Sequence, residues 1–70
     1  MAANYTAVIQ QSGDWWIGWV EEVPGVNSQG ANREELLDNL RDALEEALEM
    51  NRQDARAAAG EKFEEVSLAP

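Results

Sequence analysis

The run Trp15-Trp16-Ile17-Gly18-Trp19-Val20-Glu21 decides the fold. Aromatic and β-branched residues suit a pleated, half-buried backbone, so the run is predicted to be a strand. Alternation puts Trp16, Gly18 and Val20 on one face and Trp15, Ile17 and Trp19 on the other. Both faces therefore carry large apolar groups. Gly18 lacks a side chain and lets a helix come close, which assigns Trp16, Gly18 and Val20 to the helix-covered side. Trp15, Ile17 and Trp19 then occupy the open side.

Working outward, residues 4–10, centred on Tyr5-Thr6-Ala7-Val8-Ile9-Gln10, have strand composition. In Gln11-Ser12-Gly13-Asp14, glycine and aspartate supply the dihedrals of a hairpin turn. After the second strand, at residues 15–21, Val23-Pro24-Gly25 breaks the pattern. Pro24 has no amide hydrogen for a ladder, and Gly25 tolerates a turn conformation. A short third strand fits at residues 26–29, ending before Gly30.

Residues 33–59 are predicted to be a helix. Asn32 is a favourable N-cap, and Glu35, three positions on, makes a capping-box-like pattern. Arg33 opposes the helix dipole, whereas Glu34 and Glu35 favour it. Leu36, Leu37, Leu40, Ala43, Leu44, Ala47 and Leu48 form one apolar stripe, opposite Asp38, Arg41, Asp42, Glu45, Glu46 and Glu49. Gly60 is a natural stop. Residues 62–69 hold Phe63, Val66 and Leu68 in an irregular alternation. They are expected to form a fourth strand, parallel to its neighbour after a right-handed crossover, the alternative being a loose terminus. The expected class is α+β in the order β-β-β-α-β, a three-stranded antiparallel meander with one helix on one face and a returning strand.

Seventy residues make a single domain, 1–70, with a marginal core. Such small scaffolds need a staple. The chain has no cysteine and no histidine. Disulfides, thiolate zinc sites and nucleophile–histidine pairs are thereby excluded, and self-association or a partner chain is the staple left. The net charge of −9 argues against nucleic acid and against anionic membrane surfaces. It suits a basic partner, or serves only to keep a small protein in solution. No run is apolar enough to span a bilayer and no secretory leader is evident, so a cytoplasmic location is expected.

Two tryptophans and an isoleucine on an open face make an apolar patch that monomers seldom leave bare, and tryptophan is enriched at binding hot spots. The alternatives are that the tail folds over this face, or that the indoles lie flat with their N–H groups wetted. The expected partner-binding set is Trp15, Ile17 and Trp19, with Glu21, Glu22 and Val23 at the strand's end. Gly13, Pro24, Gly25, Gly30, Asn32 and Glu35 are assigned to turns and the helix cap. No catalytic, metal or cofactor site is expected.

The segment Tyr5-Thr6-Ala7-Val8-Ile9, the aromatic second strand, Val23-Pro24-Gly25, Ser28-Gln29-Gly30 and Asn32-Arg33-Glu34-Glu35-Leu36 resembles the HicB-like antitoxins. Their usual threonine cap is replaced by Asn32, and the resemblance runs from about residue 5 to residue 48. It implies a partial ribonuclease H-like fold. It also implies a partner, a small basic HicA-type ribonuclease toxin whose catalytic surface the domain masks. Many family members carry an additional DNA-binding domain. The chain to Pro70 shows none, so direct nucleic-acid binding is not expected. The competing expectation is a solitary, self-associating homo-oligomer with a regulatory role, its open faces paired across a two-fold axis. Ribonuclease H-type catalysis needs converging carboxylates, one of them within the first strand. Residues 5–10 contain no acid, and Asp14, Glu21 and Glu22 flank turns, so no enzyme activity is expected.

Overall fold

A computed structural model describes residues 4–69. The two-residue turn Gly13-Asp14 folds β1 (Ala7–Ser12) antiparallel onto β2 (Trp15–Val20), with Ser12 opposite Trp15 and Ala7 opposite Val20. Gly13 has φ of 62° at the first central position, the pattern of a type II′ turn, whose twist matches that of the strands it joins. This tight turn lets pairing continue to Ser12, so β1 ends later than the expected residue 10. It also starts later than residue 4. Thr6 lies outside the strand, although its carbonyl still accepts from the Glu21 amide at 2.9 Å.

The chain then turns at Val23-Pro24-Gly25-Val26. The Val26 amide donates to the Val23 carbonyl at 3.3 Å, and Gly25 has φ of 91°. Proline second and a positive-φ glycine third are the marks of a type II turn. Strand β3 (Asn27–Gly30) completes an antiparallel sheet of order β1-β2-β3. Helix α1 (Arg33–Ala59) follows at the expected boundaries. The α+β class and the antiparallel meander are therefore present as expected.

The Asn32 side chain accepts from the Glu35 amide at 2.8 Å. Glu35 reaches back to the amide of Ala31 at 3.2 Å, one residue earlier than the reciprocal bond of a standard capping box. At the other end, Gly60 has φ of 83° and its amide donates to the Arg56 carbonyl at 3.2 Å. The helix packs chiefly over β3 and β2. Val20, Val26, Leu36 and Leu40 form the buried core, with Ile9, Trp16, Val23, Ala43, Leu44 and Ala47 packed round it.

Two glycines set how close the layers come. A Cβ on Gly18 would stand 2.9 Å from Ile9 Cγ2 and 3.2 Å from Leu40 Cδ1. A Cβ on Gly30 would stand 2.6 Å from the Leu36 backbone nitrogen, so β3 and the first turn of α1 meet backbone to backbone.

The fourth strand expected at residues 62–69 does not form; residues 61–69 carry no strand. Length explains this. A 27-residue helix is about 40 Å long, whereas a six-residue strand covers about 20 Å. Helix α1 thus runs far beyond the sheet and delivers the tail away from its edges, giving a molecule 50 Å long and 15 Å thin. The tail doubles back along the last turns of α1, where Arg56 Nε meets Glu65 Oε1 at 3.0 Å and Phe63 and Ala59 line a cavity of about 220 Å³. Phe63, Val66 and Leu68 all stay exposed. An ion pair this exposed contributes little, so the tail is lightly held.

Gly30→Ala should lower stability by about 1–3 kcal/mol, because the obstructing atoms are backbone and cannot swing aside. Gly13→Asn should cost far less, since its Cβ position is open and asparagine tolerates positive φ. Urea unfolding of the two variants checks the contrast.

Candidate functional site

The face of the sheet turned away from α1 is built from three cross-strand rows. Val8, Trp19 and Asn27 form one; Gln10, Ile17 and Gln29 the next; Ser12 and Trp15 the last. Residues directly opposite in a ladder share a face, so the register puts these side chains together. The opposite rows carry Ile9, Gly18 and Ser28, and Gln11, Trp16 and Gly30, beneath the helix. The two-sided assignment of the tryptophan run therefore holds. Gly18 and Val20 are buried and Trp16 is half-buried against the core, while Trp15 and Trp19 are 52% and 41% exposed.

Ile17 is half-buried between the two indoles. Beside it, Ile17, Trp19, Asn27 and Gln29 line an open hollow of about 370 Å³. The rows hold no charged side chain, only aromatic, aliphatic, amide and hydroxyl groups. Asp14, in the turn, and exposed Glu21, beyond the far end of β2, set a carboxylate at each end of the face. The arrangement is an apolar centre flanked by amides with an acidic rim, the composition of a protein-binding patch. The contributions of Val8, Gln10, Asn27 and Gln29 were not in the expected set. They follow from the hairpin register, which the sequence alone leaves open by a residue or two.

Two members of the expected set are employed otherwise. Val23 is half-buried and packed against the core, because the type II turn folds it inward. Glu22 accepts the Thr6 amide at 2.7 Å and so ties the start of β1 to the end of β2. That bond from the backbone amide holds the Glu22 carboxyl below the ordinary carboxylate range. Gly13, Pro24 and Gly25 form turns and Asn32 and Glu35 the helix cap, as expected. Gly30 does not: β3 runs over Asn27–Gly30 instead of residues 26–29, and Gly30 is its last paired residue, opposite Trp16, where a bare backbone lets α1 come close.

Asp14 and Glu21 stand at opposite ends of β2, about 20 Å apart at the rise of a strand, too far to share a metal ion. Among the described residues no group of three or more acidic side chains is placed to hold a metal, and no helix is long and apolar enough to cross a membrane. No protein-family model matches the chain, and neither a curated protein nor a solved structure shows significant similarity to it.

Because the folded-state pKa of Glu22 is depressed, its contribution to stability is present above the unfolded-state pKa. It is lost as pH falls through the folded value. Glu22→Gln should remove that part of the acid dependence, and in the parent protein the Thr6 amide should lose hydrogen-exchange protection in the same acid range. NMR titration of the Glu22 carboxyl, with its midpoint below that of an unfolded peptide, checks the sign.

Proposed function

We propose that this chain is a non-catalytic protein-binding module whose open sheet face seats a small basic protein. The observation that carries the reading is the pair Trp15 and Trp19, each about half exposed, with Ile17 between them. Fully buried, an indole hides on the order of 150–250 Å²; about half of each is already covered here, and the rest stays in water with an N–H for a polar partner. A neighbouring surface that covers them removes that area from water. The net charge of −9 and the carboxylates of Asp14 and Glu21 favour a basic partner, which acidic rims steer and orient.

The resemblance of residues 5–48 to HicB-like antitoxins supplies a candidate of the right chemistry. In that reading the chain is an antitoxin domain of partial ribonuclease H-like type. Its partner is a HicA-type ribonuclease toxin, small and basic, whose catalytic surface is masked in the complex. Both act in the cytoplasm, and the chain contacts no nucleic acid itself. The acidic composition and the strand–strand–strand–helix order support the reading. A second reading, a self-associating regulatory protein without a toxin, draws support from the unpaired edge of β1, whose outward amides meet no described group. The two readings use different surfaces.

Trp15→Ser with Trp19→Ser should weaken binding of a HicA-type toxin by about 30-fold or more, the scale of a lost hot spot. The far-ultraviolet helical signal should stay unchanged. Titration followed by indole fluorescence, together with rescue of growth from the toxin, tests this. Full-strength binding by the double variant, or an intact chain that neither binds nor rescues, overturns the proposal.

A further inference from the structure

The two edges of the sheet are treated differently. β3 is short, and the outward carbonyl of Gln29 accepts from Asn39 Nδ2 on α1 at 2.9 Å, so the helix both covers and satisfies that edge. β1 is longer and has no such cover. In an antiparallel ladder, alternate residues turn their N–H and C=O away from the partner strand. The Thr6 carbonyl points to β2, where it accepts from Glu21, so the outward set is Ala7, Ile9 and Gln11. Among the described residues, none of these outward groups has a hydrogen-bond partner. Proteins protect such an edge with lysine, proline, a bulge or a covering element. Ala7–Ser12 has no lysine or proline, and its register with β2 is unbroken.

An apolar groove runs beside this edge on the helix side. Because α1 sits over β3 and β2, a space of about 190 Å³ is left between β1 and the helix, lined by the apolar Ala7, Val20, Leu37 and Leu44 together with Tyr5 and Arg41. Charge selects the occupant. Every Asp, Glu, Lys and Arg of the chain lies at or beyond Asp14, so β1 is neutral in a molecule of net charge −9. Two such acidic molecules repel through the exposed side of α1. Face-to-face packing of the tryptophan surfaces would bring the Asp14 and Glu21 rims together. At β1 they approach without that cost. The chain's own tail is unsuited to the edge, because α1 releases it far beyond the sheet.

We infer that β1 is a homodimer seam: β1 of a second copy pairs antiparallel with it about a two-fold axis at Ile9. This register engages all three outward residues of each strand, setting Ala7 opposite Gln11 of the second copy and Ile9 opposite Ile9. The result is a continuous six-stranded sheet. An axis perpendicular to the sheet leaves both helices on one side and both tryptophan faces on the other. The two grooves join across the seam, and each dimer presents two binding faces on one surface. The seam does not depend on the identity of the partner that those faces seat.

The test is the solution mass of the full chain by sedimentation equilibrium at micromolar concentration. The expected mass is twice the 7.8 kDa of one chain. Ala7→Glu with Gln11→Glu sets like charges opposite each other twice across the seam and should leave monomer. Ala7→Lys with Gln11→Glu sets opposite charges there and should restore the dimer. Both positions are exposed in the folded chain, so circular dichroism should show α1 intact in each variant. Trp15→Ser with Trp19→Ser should leave the dimer mass unchanged, separating this seam from the binding face. A parent chain that is monomeric throughout, a dimer that survives the two glutamates, failure of the charge pair to restore it, or dissociation by the tryptophan variant would each overturn the inference.

Discussion

Leu40 rests against the backbone of Gly18, and the position of every other surface follows from that contact. With no Cβ in the way, the helix sits low over β2 and β3, and the Gly30–Leu36 approach fixes its near end. A helix so placed covers one side of a three-stranded sheet and only part of its width. The other side keeps its tryptophans in water, and the far strand keeps an unpaired edge. The small core of Val20, Val26, Leu36 and Leu40 and the large uncovered apolar surfaces therefore have one cause.

The helix, its Asn32 cap and its Gly60 stop were legible because each rests on local chemistry: a side-chain acceptor, a 3.6-residue stripe, a glycine at positive φ. The two faces of β2 were legible for a similar reason, since alternation is a property of the strand alone. The limits of β1 were not, because they depend on whether the turn takes two residues or four, a matter of a few dihedrals. The inward turn of Val23 and the Asn39–Gln29 bond were hidden too, because both depend on where two distant segments meet. The tail misled for a different reason. Phe63, Val66 and Leu68 have strand-like spacing, but spacing carries no information about reach, and α1 had already carried the chain past the sheet. On the open face of the sheet, Trp15, Ile17 and Trp19 could be named from the sequence, whereas their neighbours on β1 and β3 required the register.

Charge is also divided along the chain. The neutral first strand sits at one side of the sheet, and the acids are spread over the turns and the exposed side of α1. Nothing in the packing of the core requires this division, since no charged or polar side chain is buried among the described residues. Its effect lies in association. It leaves one region where like molecules meet without repulsion, and elsewhere a surface that prefers opposite charge.

The overrun of α1 also bears on how the molecule opens. From residue 51 to residue 59 every helical position is exposed, and the turns there are held by alanine-rich propensity, backbone bonds and surface pairs such as Arg52–Glu49 at 3.0 Å. Little packing resists separation of those turns from coil, so the distal helix is a cooperative unit of its own, melting at a small fraction of the free energy that opens the sheet. One continuous helix thus contains two grades of order: a proximal two-thirds that belongs to the core, and a distal third whose length at any moment responds to temperature, salt and whatever lies against it.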